Sequence, residues 1–260
     1  MLTAAAALFY HLREQPLWLD EALTWLYAGT HYQGAAGQDI HPPLYFSLVR
    51  VWMHGVPGLG IPAFAAQDTE FFLRIHSAVL GVFTVPLVFS VGRVIGGTRL
   101  GLVAALLFAV APFQVRYGQE ARMYALLTFL AALTMWGVAS LLAPSRVKAS
   151  GIEGSEVASP AAVEQRKTLL AWLAIVVGSV GALYTHNMAV LLLVSWNLVV
   201  LVCLLAGSLR QPRFAWHWSA AIAAILVGWI PWLPRLLGQA RGVLIDYWID
   251  PSLSMWERPF

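Results

Sequence analysis

Two adjacent carboxylates near the start of the chain are the first candidates for chemistry. Asp20 and Glu21 follow an apolar segment and lie between Trp18 and Trp25, whose rings suit the headgroup level of a membrane. A carboxylate held at a membrane surface can act as a general base toward an external hydroxyl. The alternative is that Asp20 caps a helix and that Glu21 stabilises its first turn through the helix dipole.

A second group of polar residues combines one carboxylate with two histidines. Asp39 precedes His41, which is followed by two prolines that suit the first turn of a helix. His186 lies in a polar turn much further along the chain. Carboxylate oxygen and imidazole nitrogen together suit a divalent ion, so Asp39, His41 and His186 are the ligands we predict for any metal that the protein uses. The alternatives are a helix start and a solvated turn.

Arginines beside apolar segments form a third group. Arg74 opens a long apolar run, and Tyr117, Glu120 and Tyr124 share one face at helical spacing, with Arg122 on a neighbouring face. A guanidinium can hold a phosphate group in forked fashion, while Glu120 can orient that phosphate or an acceptor hydroxyl. We therefore predict phosphate binding by Arg74, Arg122, Glu120 and Tyr124. The alternatives are an interfacial helix cap and an arginine that reaches the lipid headgroups.

The elements that must position these residues are apolar helices. The chain has 260 residues, of which 59% are hydrophobic and 11% charged. This composition excludes a soluble globular enzyme and a disordered chain. The net charge of +3 is too small and too dispersed for a nucleic-acid partner, and the single cysteine, Cys203, leaves no disulfide within the chain.

Uncharged runs predict an all-α, polytopic bundle of about seven spans. The longest run separates Lys167 from Arg210 by 42 uncharged residues, about twice the length of one span, so it must fold back near His186. A short first helix covers residues 2–12. The other predicted spans are Ile75 to Gly92, Leu100 to Phe113, Met123 to Leu142, Leu169 to Leu183, Met188 to Leu205 and Ser219 to Leu237.

Three segments between or after the spans complete the predicted organisation. Residues 13–70 form a first external loop with two short interfacial helices, Glu21 to Gly29 and Leu44 to His54. Residues 143–168 form a cytoplasmic linker, and residues 238–260 begin another external loop. We expect one membrane module that is truncated at both ends. Alternating the loops across the membrane places every candidate site residue on the outer side.

These clusters, in this order, resemble the GT-C superfamily of polytopic glycosyltransferases. Within it the chain is similar to the bacterial branch related to dolichyl-phosphate-mannose protein mannosyltransferases and lipid A aminoarabinose transferases. The resemblance rests on Asp20-Glu21, on the His-Pro-Pro-Leu-Tyr run at 41–45, on Arg74, on the Gln-Glu-Ala-Arg-Met-Tyr run at 119–124 and on the Tyr-Trp-Ile-Asp-Pro-Ser run at 247–252. His41 stands where the aminoarabinose transferases have lysine, which argues against lipid A as the acceptor.

The resemblance implies a hexosyl- or pentosyltransferase of the bacterial inner membrane with its site on the external face. The donor would be a polyprenyl-phosphate-linked sugar, and the acceptor the hydroxyl of a lipid, glycan or protein. Transfer would invert the anomeric carbon, with Asp20 as base and Glu21 beside it. Such a donor needs no nucleotide-binding loop, and the chain has none. The alternatives are a transporter or channel module, and a noncatalytic membrane scaffold.

Overall fold

The computed structural model describes residues 1–29, 41–58, 69–142, 160–206 and 212–245 of the chain. Within these ranges every regular element is a helix, and no strand occurs. The all-α prediction is therefore confirmed. A helix satisfies its backbone hydrogen bonds within one segment, as a chain in a lipid interior must.

Three short helices make up the N-terminal part. Helix α1 spans Leu2–Phe9, α2 spans Leu19–Gly29 and α3 spans Leu44–Gly58. Helices α2 and α3 confirm the two short helices predicted in the first loop, and α3 is longer than predicted. They pack against each other, and Arg50 donates a hydrogen bond of 3.4 Å from Nη1 to the Ala28 carbonyl.

Longer apolar helices form the rest of the bundle. Four stretches, α4, α7, α8 and α10 continued by α11 below, confirm predicted spans, and the turn between α8 and α9 confirms the fold-back near His186. In chain order the helices are α4 (Thr69–Gly96), α5 (Thr98–Val110), α6 (Pro112–Gly118), α7 (Tyr124–Leu142), α8 (Pro160–Leu183), α9 (Ala189–Leu205), α10 (Pro212–Trp229), a 3₁₀ turn (Ile230–Trp232) and α11 (Leu233–Ile245).

The number of spans in the described ranges is smaller than the predicted seven. Four helical stretches are long and apolar enough to cross a membrane, and α5 with α6 makes a fifth if the two, bent by 57°, count as one span. Pro112 starts a new helix after Ala111 and so interrupts the predicted span from Leu100 to Phe113. Helix α9 has 17 residues and α1 only 8, both short of a full span. The protein is nonetheless a polytopic integral membrane protein.

Glycines allow the closest helix contacts in the bundle. A Cβ atom on Gly92 of α4 would lie 2.8 Å from the Cα atom of Gly101 in α5, so a side chain at Gly92 would separate the two backbones. Between α7 and α8, a Cβ atom on Gly178 would lie 2.4 Å from Thr134 Oγ1. Helix α4 packs against both α5 and α7, and α8 packs against α7 and α10. Through these contacts α4 and α7 lie at the centre of the bundle.

Two predicted segment boundaries change. The predicted linker 143–168 overlaps α8, which begins at Pro160, and the predicted external loop 238–260 overlaps α11, which ends at Ile245. The uncharged run places the start of α8 too late in the chain, because the helix extends past the apolar region into charged residues such as Lys167. Residues 143–159 and 246–260, with the run at 247–252, lie outside the described ranges.

Candidate functional site

The short segment between α6 and α7 connects the parts of the site. Gln119 donates from Nε2 to the carbonyls of Ala7, Leu8 and Tyr10, at 3.1, 3.4 and 2.8 Å. Those carbonyls belong to the end of α1, where backbone acceptors have no partner within the helix. Gln119 thereby holds the chain that leads into α2. In the sequence this glutamine stands out only as the first residue of the run 119–124.

Glu21 and Arg74 form a buried ion pair with two contacts. Arg74 Nε lies 2.8 Å from Glu21 Oε1, and Arg74 Nη2 lies 2.5 Å from Glu21 Oε2. The Glu21 side chain is 0% exposed and that of Arg74 is 6% exposed. The backbone N–H of Ala121 also donates to Glu21 Oε1, at 2.8 Å. The pair therefore joins α2, α4 and the segment before α7.

The remaining donors of Arg74 hold the chain between α1 and α2. Nη1 donates to the carbonyls of Leu12 and Gln15 at 3.1 and 2.8 Å, and Nη2 donates to the Pro16 carbonyl at 3.2 Å. With the two contacts to Glu21, all five N–H groups of the guanidinium have acceptors within the protein. This geometry favours a positioning role for Arg74 and Glu21; phosphate binding by Arg74 and catalysis by Glu21 stay predictions.

Asp20 differs from Glu21 in exposure and in partner. Its side chain is 35% exposed, and its Oδ2 lies 3.6 Å from Nη2 of Arg122, whose side chain is 6% exposed. The Asp20 carbonyl accepts from Arg122 Nη1 at 3.3 Å and from Thr24 Oγ1 at 3.0 Å. Arg122 Nε is buried and has no hydrogen-bond partner among the described residues. Asp20 is thus an accessible carboxylate beside a guanidinium whose Nε–H has no acceptor among the described residues.

The two predicted histidines meet on the same side of the bundle. The backbone N–H of Leu44, at the start of α3, donates to the Tyr184 carbonyl after α8 at 2.9 Å. This hydrogen bond brings together the residues before α3 and the turn before α9, so the rings of His41 and His186 lie 5.8 Å apart between centroids. The Tyr124 ring lies 6.4 Å from that of His186.

The surroundings of His186 disfavour its protonated form. Burial, then His41 and then the Arg122 guanidinium lower the pKa of His186 below its ordinary value. Its Nδ1 accepts the backbone N–H of Met188 at 3.1 Å, so the ring proton is on Nε2. An imidazole with this tautomer donates a hydrogen bond from Nε2 toward its surroundings.

The predicted metal site is represented by two of its three residues. Asp39 lies outside the described ranges, and within them no group of three His, Cys, Asp or Glu side chains is arranged to hold a metal ion. The hydrogen bond from Met188 occupies the lone pair of His186 that a metal ion would otherwise use. Metal binding by Asp39, His41 and His186 stays a prediction.

Glu120 points to a different compartment from Asp20. Its Oε1 lies 3.4 Å from Arg116 Nε, and burial raises the pKa of its carboxyl group. It lines a cavity of about 1010 Å³ between α1, the segment before α2, and α6, and Glu21 also lines it. Asp20 is not in the lining. The predicted site residues therefore divide between two neighbouring compartments.

A buried hydrogen bond that sequence analysis did not identify supports the histidine side of the site. The hydroxyl of Tyr45 in α3 lies 3.1 Å from Nε2 of His76 in α4. Tyr45 is 1% exposed, and burial raises the pKa of its hydroxyl, so the group is un-ionised. The contact holds α3, and with it His41, against α4. Only the position of Tyr45 in the run 41–45 could have indicated this role.

Comparison with known proteins identifies the central part of the chain. No curated protein and no solved structure matches the sequence. One family profile matches residues 61–154, a stretch that is well under half of the chain but includes Arg74 and the whole run 119–124. The match confirms the resemblance inferred from the motifs. Over residues 61–154 the chain is similar to the dolichyl-phosphate-mannose-protein mannosyltransferases, a family of membrane glycosyltransferases.

Proposed function

We propose that the protein transfers a sugar from a polyprenyl-phosphate-linked donor to an acceptor hydroxyl at the outer face of a bacterial inner membrane. The observation that carries the proposal is the arrangement of Asp20 and Arg122. An accessible carboxylate lies 3.6 Å from a buried guanidinium at one end of an apolar bundle. Such a pair can hold a base beside a phosphate whose lipid tail remains in the membrane.

Asp20 is the proposed base. It accepts the proton of the acceptor hydroxyl while that oxygen forms a bond to the anomeric carbon of the donor sugar. The bond from the anomeric carbon to the phosphate oxygen breaks, and the polyprenyl phosphate leaves with the electron pair. Attack from the side opposite the leaving phosphate inverts the anomeric configuration. Among the two adjacent carboxylates we assign this role to Asp20, because Glu21 has 0% side-chain exposure and is paired with Arg74.

Arg122 and His186 are the proposed donors to the leaving phosphate. Arg122 has an unused Nε–H, and the Nε2–H of neutral His186 remains available after Nδ1 accepts from Met188. The guanidinium is close enough to His186 to lower its pKa. Hydrogen-bond donors in a partly buried site stabilise a developing negative charge more strongly than they do in water. Tyr124 packs beside His186 and would form part of the wall.

The ion pair of Glu21 and Arg74 is proposed to position Asp20. It fixes the first turn of α2 against α4 and against Ala121, one residue before Arg122. The base and the phosphate donor are thereby attached to the same buried pair. Reacting groups held in this way lose less freedom when the substrates bind.

Transfer from a defined donor tests the proposal. The purified protein in lipid nanodiscs would be given radiolabelled polyprenyl-phosphate sugars, hexoses and pentoses separately, with bacterial lipid and glycan extracts as acceptors. We expect label to pass from at least one donor into an acceptor, with inverted anomeric configuration in the product. The matched control replaces exposed Arg99, at the start of α5, by Ala and should keep full transfer. Absence of transfer from every donor, or retention of configuration, would contradict the proposal.

A further inference from the structure

The cavity beside Glu120 has a polar and an apolar side. It measures about 1010 Å³, large enough for a sugar ring with its substituents, and opens between α1 and α6. Glu120, Arg116 and Gln15 supply polar groups, while Trp18, Pro112 and Val115 supply apolar surface. The break between α5 and α6 at Ala111 directs α6 away from the axis of α5 and so makes room for this space.

Glu120 carries an acceptor atom without a donor. Its Oε2 is buried and has no hydrogen-bond partner among the described residues, while Oε1 is 3.4 Å from Arg116 Nε. The Glu120 side chain is only 14% exposed. A buried carboxylate oxygen without a donor is costly, and a ligand that brings a hydroxyl or amine to this position removes that cost.

The charge of the cavity disfavours an anionic ligand. Its lining contains three carboxylates, those of Glu14, Glu21 and Glu120. Of its two arginines, Arg74 has all its N–H groups occupied within the protein, and Arg116, whose side chain is 76% exposed, has its Nε 3.4 Å from Glu120 Oε1. The lining thus carries one more carboxylate than guanidinium groups, and this excess of negative charge disfavours a phosphate. The ligand that fits is neutral and rich in hydrogen-bond donors.

Trp18 adds an apolar platform. Its side chain lines the cavity and the residue is 46% exposed, unlike the buried aromatic residues of the core. Flat aromatic rings pack against the C–H faces of pyranoses, while carboxylates accept from their hydroxyls. Trp18 lies two residues before Asp20 and Glu21 one residue after it, so the cavity lining adjoins the proposed base along the chain.

We propose that this cavity binds the sugar ring of a glycan acceptor, with a ring hydroxyl donating to Glu120 Oε2 and the ring packed on Trp18. The proposal rests on the proposed function, since it makes the acceptor of that transfer a carbohydrate. It separates the substrates in space: the lipid-linked donor lies with Arg122 and His186, and the acceptor lies on the other side of the Glu21 and Arg74 pair.

Binding of simple glycosides tests the proposal without any turnover. The probes are the methyl glycosides of mannose, glucose, N-acetylglucosamine and arabinose, added to the protein in nanodiscs free of sugar detergents. Saturation-transfer NMR reports the contact between protein and glycoside. We expect saturable binding of at least one glycoside, and a dissociation constant about tenfold or more weaker in Glu120→Leu, since a hydrogen bond to a charged group is lost. Trp18→Ala should weaken the binding of the same glycoside.

A control variant locates the binding. Glu164→Leu makes the same chemical change near the start of α8 and should leave binding unchanged. Thermal unfolding of each variant checks that it is folded. If Glu120→Leu does not fold, the binding measured with Trp18→Ala decides the test. Binding that survives Glu120→Leu or Trp18→Ala, or no saturable binding of any glycoside to the native protein, would overturn the proposal. Glycoside binding without transfer from any lipid-linked donor would instead contradict the proposed function and leave this site intact.

Discussion

Glu21 and Arg74 are 53 residues apart in sequence and form a two-contact ion pair in the interior of the protein, with distances of 2.8 and 2.5 Å. Both side chains are almost completely shielded from solvent. Arg74 also holds three carbonyls of the chain between α1 and α2, and Glu21 also accepts from the Ala121 N–H. One pair thus connects α1, α2, α4 and the segment before α7.

Arg74→Leu should strongly destabilise the protein. It leaves the Glu21 carboxylate buried without its counter-charge, and breaking a buried pair in this way costs about 3–5 kcal/mol. The measurement is the free energy of unfolding in detergent. Arg99→Leu, at an exposed position, should change it by less than about 0.5 kcal/mol. If Arg74→Leu were as mild as this control, the pair would have no structural role. Adding Glu21→Leu to Arg74→Leu should recover part of the loss, because the unpaired charge is removed.

Gly178→Ala should separate α7 from α8. The added Cβ atom would lie 2.4 Å from Thr134 Oγ1 and 2.9 Å from the Leu130 carbonyl oxygen. The expected loss in unfolding free energy is about 1–3 kcal/mol, typical of overpacking. Gly238→Ala in α11 is the control, since among the described residues no atom outside the glycine's own turn of helix lies within 4 Å of its Cβ position. That change should be neutral or stabilise by up to about 1 kcal/mol. Equal effects at the two glycines would contradict the close contact.

His186 should make the protein sensitive to acid. Its pKa in the folded state lies below the ordinary value of 6.5, chiefly because of burial, so protonation favours the unfolded chain. The stability that depends on neutral His186 is fully present above pH 6.5 and is lost as the pH falls through the lowered value. The difference between the unfolding temperatures at pH 5 and pH 7.5 should therefore be smaller in His186→Gln than in the native protein. Exposed His54→Gln should leave that difference unchanged, and an unaltered difference in His186→Gln would rule out this account.

Arg122→Ala should weaken binding of the lipid phosphate. The change removes a nearly buried guanidinium with an unused Nε–H, and a charge-assisted hydrogen bond is worth about 1.5–3 kcal/mol. The measurement is the affinity of the protein in nanodiscs for a short-chain polyprenyl phosphate. Arg99→Ala serves as the control of equal charge change. Native affinity in Arg122→Ala would move the phosphate site elsewhere.

Helices and the grouping of the site residues could be predicted from the sequence, because both depend on local pattern. The uncharged run after Lys167 and the polar residues around His186 correctly predicted two helices and their turn. Loop alternation correctly brought Asp20, Arg122 and His186 to one end of the bundle. The break before Pro112 was absent from the prediction, since the apolar residues run on without a charge from Leu100 to Phe113.

The different roles of neighbouring residues could not be predicted in the same way. Asp20 and Glu21 are equivalent in sequence, and only the tertiary position of Arg74 separates the buried carboxylate from the accessible one. Arg74 and Arg122 likewise both adjoin apolar runs, but one guanidinium has every donor occupied and the other does not. Such differences depend on contacts between residues far apart in the chain, which no local pattern records.

The most direct test of the account is the turnover of Asp20→Asn with a polyprenyl-phosphate-linked sugar that the native protein uses. Asn keeps the shape of the side chain and caps a helix about as well as Asp, but it cannot accept the acceptor's proton. We predict that turnover falls by about two orders of magnitude or more, while donor affinity and unfolding temperature stay close to native. Near-native turnover in Asp20→Asn would contradict the assignment of Asp20 as the base.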